Sequence, residues 1–248
     1  MKLLAFELAT EACSVAVWVD GEVRERFELA PRRHAELALP WAQQLLAQAG
    51  IARTQLDAIA VGRGPGAFTG VRLAIAIGQG IALALDRPIV PVSTLAALAM
   101  RAVPSSSLDA GRGDDPNGRH DRVLAAIDAR MNEVYAGRFE LRGGEAFALC
   151  DEAIDASGAI ELPDTDGNWH GVGTGFAALG GALAQRLSPR LRSVDAGALP
   201  HAADIARLAA AAFARGEAIP ADAVEPAYLR NNVALTMAEQ QSLRDSRP

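Results

Sequence analysis

Two acidic residues follow two short apolar segments that resemble each other. Glu7 ends "LLAFE", Asp128 ends "VLAAID", and a turn follows each of them. Ligands of α/β folds bind at the carboxyl ends of strands, and Mg²⁺ is commonly held by one or two carboxylates together with phosphate oxygens. The two acids therefore predict either a magnesium site in a cleft or a pair of carboxylates that cap their own turns.

A glycine-rich stretch, "GRGPGAFTG" at residues 62–70, has the form of a phosphate-binding loop. It lacks the Lys and Ser/Thr of a Walker loop, and its glycines have the spacing G-x-G-x-x-x-G instead of the dinucleotide fingerprint G-x-G-x-x-G. Anion binding at the start of the following helix is the alternative that stays open. We therefore assign a vestigial nucleotide cleft, formed by Glu7, Thr10, Gly64, Gly66, Asp128 and Gly173.

Metal and nucleophile motifs are missing from the chain. Its four histidines and two cysteines are scattered, and no G-x-S-x-G sequence is present. Helical metal sites need histidines four residues apart, and structural zinc sites need clustered cysteines or histidines. We expect no catalytic residue, no metal site and no cofactor held by this chain alone.

The spacing of apolar residues divides the chain into two halves with the same order of elements, βββαβαβα. In the first half we expect strands over 2–9, 14–20 and 22–29, a helix over 34–49, a strand over 56–61, a helix over 69–85, a strand over 88–92 and a helix over 93–102. In the second half we expect strands over 122–128, 134–141 and 145–150, a short helical piece over 154–160, a strand over 168–173, a helix over 176–187, a strand over 190–195 and a helix over 202–214.

This repetition predicts a duplicated α/β fold with two lobes. The lobes span residues 1–103 and 122–248, and the polar segment 104–121 between them is expected to be a flexible loop. The last part of the second lobe, from about residue 216 to 248, is expected to return to the first. Within it, "PAYLRNNVA" at 226–234 is interpreted either as a solvated extension or as a segment that crosses between lobes or contacts a partner.

The helix over 69–85 carries small residues at every fourth position. Gly70, Ala74, Gly78 and Ala82 form a smooth strip that lets another helix approach closely. The helix of the same lobe over 34–49 covers this strip in one interpretation. In the other, both helices present a face to another chain, and the interface residues are His34, Leu37, Trp41, Leu45, Gly70, Ala74, Ile77, Gly78, Ile81 and Ala82.

Composition limits the classes of partner. The chain has 248 residues, of which 50% are hydrophobic, and a formal net charge of −6. Because nucleic-acid affinity depends largely on Lys and Arg contacts, any contact with RNA is expected to be indirect. Two distant cysteines and an N-terminus interrupted by acids predict a cytoplasmic protein, and no membrane segment is predicted.

Several segments together resemble the TsaB (YeaZ) family of tRNA threonylcarbamoyladenosine biosynthesis, in the right order over nearly the whole chain. They include "FELATEACSVAVWVDG", "HAELALPWAQQLLAQAGI", "VGRGPGAFTGVRLAIAIGQGIALAL", "ARMNEVYAGRF", "AADIARLA" and "PAYLRN". The resemblance implies an actin-like, Hsp70-like and sugar-kinase-like (ASKHA) fold. Where this chain has Glu7 in "ELAT", the family usually has Asp in "DTST", which weakens any phosphate site in that turn.

The resemblance also implies a function and partners. The catalytic paralogue TsaD binds metal through two histidines, at positions where this chain has Thr94 and Leu98. A non-catalytic scaffold and activator is therefore expected, which binds TsaD as a heterodimer, joins the ATPase TsaE in a larger complex and forms a homodimer in isolation. ATP or ADP is expected only at the interface of that complex. Two alternatives stay open: an ASKHA-type ATPase or phosphotransferase, and a glycoprotease-type metallopeptidase.

Overall fold

The computed structural model describes residues 1–102, 121–163 and 169–230. The first half forms a five-stranded sheet in the order β3-β2-β1-β4-β5. Its strands are β1 (Lys2–Glu7), β2 (Ala12–Val19), β3 (Glu22–Leu29), β4 (Ala58–Gly62) and β5 (Ile89–Val92). The helices are α1 (His34–Gln48), α2 (Phe68–Leu85) and α3 (Thr94–Ala99), which confirms the predicted order of elements in this half.

The second half forms a six-stranded sheet in the order β11-β10-β6-β7-β8, with β9 paired to β7. Its strands are β6 (Asp121–Arg130), β7 (Glu133–Arg142), β8 (Glu145–Ala148), β9 (Ala153–Ala156), β10 (Trp169–Val172) and β11 (Leu191–Asp195). Its helices are α4 (Ala178–Leu187) and α5 (Ala202–Ala214). The molecule is thus a mixed α/β fold of two lobes, as expected.

One predicted element is wrong, because residues 154–160 do not form the expected short helical piece. The strand β8 pairs only with Phe139–Arg142 of β7, which leaves the edge of Glu133–Ala136 open. The strand β9 pairs there in the antiparallel sense. The second half therefore has the order βββββαβα, because an open strand edge offers hydrogen bonds that a one-turn helix does not.

The two faces of the first sheet belong to different hydrophobic clusters, each of which includes residues of helices. Leu4, Phe6 and Val61 pack with α1 and α2 on the outer face. Leu3 and Ala5 pack with α3 and α5 on the inner face, and the second sheet contributes Val123 and Phe139 to the same cluster. The inner helices thus lie in a shared core between the two sheets.

The inner helices are exchanged between the halves of the chain. The helix α5 comes from the second half but packs across all five strands of the first sheet, whereas α3 from the first half packs on β6, β7 and β8. After α5 the chain stays with the first sheet, where Ile219 pairs with Ile89 of β5 and Gln79 of α2 donates to the Ala221 carbonyl at 2.8 Å. The return expected at about residue 216 therefore begins earlier, at Ala202.

Candidate functional site

Glu7 lies at the end of β1, buried where the two lobes meet. Its Oε1 accepts a hydrogen bond from the Ala9 N–H at 2.7 Å, and its Oε2 accepts one from the Thr94 hydroxyl at 2.9 Å. Burial raises the pKa of this carboxyl to about 7, against the lowering effect of the hydrogen bonds from Ala9, Thr94 and Leu8. Both oxygens are therefore engaged within the first lobe.

Asp128 makes the equivalent contact near the end of β6, just before the pairing register with β7 shifts. Its Oδ1 accepts from the Arg130 N–H at 2.8 Å, two residues ahead, as the carboxylate of Glu7 does from Ala9. The Arg130 guanidinium lies 3.3 Å from the other oxygen. Each carboxylate thus accepts a hydrogen bond from the N–H two residues ahead, as the turn-capping interpretation predicts, and the magnesium site stays a prediction.

The positions compared with the histidines of TsaD lie in the shared core. Thr94 and Leu98 are both fully buried, Thr94 against Glu7 and Leu98 against Gly173. Gly173 has φ of 106°, and a Cβ there would lie 2.6 Å from Leu98 Cδ2. Within residues 1–102, 121–163 and 169–230, no three His, Cys, Asp or Glu side chains are grouped so that they could hold a metal ion.

The remaining residues of the predicted nucleotide cleft are bonded to their own lobe. The Gly64 carbonyl accepts from the Thr94 N–H at 3.0 Å, and the Ala67 N–H at the start of α2 donates to the Ala9 carbonyl at 2.7 Å. Gly66 lies so close to Ala9 that a Cβ would overlap its carbonyl oxygen. The Thr10 hydroxyl accepts from the Ala12 N–H. The glycines of this loop thus serve close backbone packing.

Charged contacts across the lobes were missed by the sequence analysis. Glu152 of the second lobe accepts from the Ser93 hydroxyl and lies 3.9 Å from the Arg63 guanidinium. Arg230 donates to the Ala129 carbonyl at 3.1 Å and pairs with Glu133. The Ala227 N–H donates to the Arg63 carbonyl at 2.8 Å, so within 226–230 the segment "PAYLRNNVA" contacts residues of both halves of the chain. Residues 231–234 lie outside the described residues.

The small-residue strip of α2 faces the first sheet and not, as expected, a partner. Ala74, Gly78 and Ala82 are buried against the first sheet, and a Cβ on Gly78 would overlap Cγ1 of Val61. A Cβ on Gly70 would overlap the carbonyl oxygen of Leu8. The strip therefore lets α2 approach its own sheet closely, and the expectation that it faces a partner is wrong.

The expected interface residues of α1 are also partly internal. Trp41 and Leu45 are buried in the outer core, and Leu37 is partly buried against it. The His34 ring points to the turn after β1, with Nε2 at 3.0 Å from the Thr10 carbonyl and 3.1 Å from that of Ala12. Of the expected interface residues on α2, Ile77 and Ile81 are half-buried.

A second strip of α2 is exposed instead, and we call it the outer face of α2. It is apolar, has small residues at every fourth position, and comprises the exposed Phe68, Ala76, Gly80, Leu83 and Ala84 with the half-buried Leu73 and Ile77. Leu83 and Phe68 are 67% and 59% exposed. The Arg72 guanidinium stacks 3.6 Å from the Phe68 ring centre and donates to the Tyr228 hydroxyl at 2.6 Å.

By length and composition, α2 is the one helix in the described part of the chain that could cross a membrane, and 33% of it is buried in this structure. Core helices of soluble proteins meet the same requirement, so this is weak evidence for membrane insertion. The sequence-based expectation of no membrane segment stays a prediction. The described residues leave the outer face of α2 largely uncovered.

The comparisons with known proteins agree with one another. A family model described as TsaD, tRNA N6-adenosine threonylcarbamoyltransferase, matches residues 27–238. The Escherichia coli protein named tRNA threonylcarbamoyladenosine biosynthesis protein TsaB is 40% identical, over 94% of this chain and 96% of that protein. The Haemophilus influenzae protein of the same name is 38% identical, over 94% of this chain and 95% of that protein. The solved structure of YeaZ from Pseudomonas aeruginosa is 44% identical, with a TM-score of 0.80 over 92% of this chain and 99% of that one.

Proposed function

Because the chain belongs to the TsaB family of tRNA threonylcarbamoyladenosine biosynthesis proteins, we propose that it is a non-catalytic subunit which binds and activates the transferase TsaD. In this proposal TsaD, together with the ATPase TsaE, transfers threonylcarbamoyl to the adenosine after the anticodon in tRNAs that read ANN codons. The chain contacts tRNA only through the complex.

The observation that carries the proposal is the outer face of α2. It lies on the same side of the first sheet as α1, on which Leu39 is 51% exposed. Ala76, Gly80 and Ala84 are spaced so that another helix can approach closely. Contiguous exposed apolar surface of this kind is typical of protein interfaces.

The partner has the same kind of fold, since the family model of TsaD matches residues 27–238 of this chain. A TsaD subunit would then present the corresponding two helices, and the pair from each chain would pack as a four-helix bundle. A second copy of this chain would use the same face when TsaD is absent, giving a homodimer. Nucleotide would be bound at the interface of the complex.

The contacts in the cleft support a non-catalytic role. Glu7 and Asp128 are engaged with their own turns, and Thr94 and Leu98 are part of the shared core. Among the residues that the structure describes, no contact favours the ATPase or the metallopeptidase alternative.

Reconstitution tests the proposal. Purified TsaD and TsaE are assayed for tRNA modification with the wild-type chain, with no added chain, and with Gly80→Arg. A Cβ on Gly80 meets no atom within 4 Å, so the variant should fold while its arginine blocks helix packing. Gly158→Arg is the matched control, because Gly158 is exposed in the second lobe and equally free of neighbours.

We expect modification to require the chain, Gly80→Arg to lose TsaD binding and activation, and Gly158→Arg to keep both. Modification that proceeds equally well without the chain would contradict the role of activator. Unchanged binding by Gly80→Arg would mean that TsaD binds a surface other than the outer face of α2. Binding of Mg-ATP to the isolated chain, measured by calorimetry and lost in Glu7→Ala, would instead favour the ATPase alternative.

A further inference from the structure

The turn between β1 and β2, residues 8–11, supports the beginnings of both outer helices. At α2, the Ala67 N–H donates to the Ala9 carbonyl at 2.7 Å, and Gly70 packs against the Leu8 carbonyl. At α1, Nε2 of His34 lies 3.0 Å from the Thr10 carbonyl. Three consecutive carbonyl groups of one turn therefore contact the first turns of α1 and α2.

Glu7 holds this turn from the other side of the sheet. Its neighbours Phe6 and Leu8 belong to the outer core with α1 and α2, whereas its own carboxyl reaches Thr94 of the inner helix α3. The hydrogen bond from the Ala9 N–H to Oε1 ties the turn to this carboxyl. Gly62 of β4 provides the space, because a Cβ there would overlap Oε2 of Glu7.

We propose that Glu7 is a positioning residue for partner binding: by holding the β1–β2 turn it sets where α1 and α2 begin, and thereby the shape of the face they present. The inference rests on the proposed function, since it concerns the same pair of helices. Glu7 itself is 1% exposed and touches no partner. Its effect on binding therefore passes through the turn.

The groups around the Glu7 carboxyl are uncharged, so hydrogen bonds hold it in place. The groups that face it are the N–H groups of Leu8 and Ala9 from the turn, the Thr94 hydroxyl from α3 and the α-carbon of Gly62 from β4. Without the carboxyl, the Ala9 N–H has lost its acceptor, and the turn is free to shift. Close-packed helix interfaces respond to shifts of well under 1 Å because their side chains interdigitate.

A set of three variants tests the inference. Glu7→Met keeps the length of the side chain but removes both acceptors. Glu7→Gln restores one acceptor, since its amide oxygen accepts from the Ala9 N–H, and keeps contact with Thr94 by a bond of opposite direction, in which its NH₂ donates to the hydroxyl. Ser14→Ala is the matched control: Ser14 is the cross-strand neighbour of Glu7 and is equally buried, but its hydroxyl bonds Glu25 and the Ala202 N–H of α5.

Two readouts separate positioning from general stability. The affinity for TsaD is measured by calorimetry, and hydrogen exchange is followed at the amides of residues 67–71 in the isolated chain, with urea unfolding as the stability reference. We expect Glu7→Met to bind about tenfold more weakly and to exchange faster at the start of α2. Glu7→Gln should restore both, and Ser14→Ala should lose stability but keep its affinity.

Each outcome decides the question. Wild-type affinity in a folded Glu7→Met protein overturns the inference, as does an equal loss of affinity in Ser14→Ala at equal loss of stability. If the wild-type chain itself does not bind TsaD, the proposed function fails. In that case, faster exchange at residues 67–71 in Glu7→Met alone still supports control of the helix start by Glu7, and unchanged exchange refutes it.

Discussion

Gly78 and Gly80 lie two residues apart on α2 and face opposite environments. A Cβ on Gly78 would overlap Cγ1 of Val61 in β4, whereas a Cβ on Gly80 would meet no atom within 4 Å. The first glycine lets the helix lie close to its own sheet, and the second belongs to the surface open to a partner. A partner-blocking substitution therefore has to be placed at Gly80, because one at Gly78 would disturb the fold.

Substitution of these two glycines should change stability in opposite directions. Gly78→Ala is expected to lower the free energy of unfolding by about 1–3 kcal/mol, the usual cost of overpacking. Gly80→Ala should raise it by up to about 1 kcal/mol, because alanine is the better helix former. Urea unfolding of the two variants measures both effects, and equal changes in both would contradict the orientation of α2.

The buried carboxyl of Glu7 should make stability depend on pH. Its pKa is about 7 in the folded protein and near 4.5 in the unfolded chain, so the folded state binds the proton more tightly. The stabilisation is present below pH 4.5 and is lost as the pH rises to about 7. Its size is about 3 kcal/mol.

Comparison with Glu7→Gln isolates this contribution, because the other titrating groups cancel. The free energy of unfolding of the wild-type protein, minus that of the variant, should fall between pH 4.5 and 7 and then stay constant. Urea unfolding at a series of pH values gives this difference. A difference that does not change with pH would mean that folding does not raise the pKa of this carboxyl.

His201 and Glu25 join α5 to β3, and the two side chains should be energetically coupled. Nδ1 of His201 lies 2.9 Å from Oε2 of Glu25, and its ring stacks on Phe27 at 4.0 Å. Burial raises the pKa of Glu25, but hydrogen bonds with His201, Ser14 and the Ala203 N–H outweigh it, so the pKa lies below its usual value. This contribution is present above pH 4.5 and is lost as the pH falls below it.

A double-mutant cycle measures the coupling. His201→Phe keeps the stacked ring and removes the hydrogen bond, and Glu25→Gln removes the charge. We expect a coupling free energy of about 1 kcal/mol or more at pH 7, decreasing below pH 4.5. Additive effects of the two substitutions at pH 7 would show that the contact contributes nothing to stability.

Leu98 should be among the costliest residues to truncate. It is fully buried in the core shared by the two sheets. Leu98→Ala is expected to lower the free energy of unfolding by about 2–5 kcal/mol because it leaves a cavity. Leu83→Ala, on the exposed outer face of α2, is the control and should change it by about 0.5 kcal/mol or less. If both substitutions changed the free energy of unfolding by a similarly small amount, this would argue against a continuous core between the lobes.

Local signals in the sequence account for much of this fold. Asp20 and Gly21 both adopt positive φ in the turn between β2 and β3, as the Asp-Gly pair indicates. Ser93 caps α3 through hydrogen bonds from the Leu95 and Ala96 N–H groups. The similarity of "LLAFE" and "VLAAID" correctly indicated two lobes, and each strand-end acid accepts a hydrogen bond from the N–H two residues ahead. These features depend on neighbours in sequence.

Features that depend on distant contacts were predicted poorly. Two sets of small residues on α2 have the same spacing, and only contact with Val61 decides that Gly78 is the internal one. The strand β9 exists because β8 leaves part of β7 unpaired. No periodic pattern in the sequence shows that α3 packs on the second sheet and α5 on the first. The acids Glu133 and Glu152 were missed because their arginine partners are far away along the chain.

The exchanged position of α5 has a consequence for biosynthesis. The five strands of the first sheet are complete once Val92 has been made, but the helix that covers their inner face extends to Ala214. A nascent chain must therefore leave Leu3, Ala5 and their neighbours uncovered while more than a hundred further residues are translated. The core of the amino-terminal lobe is therefore complete only after α5 has been made, and until then its inner face is exposed apolar surface of the kind that promotes aggregation.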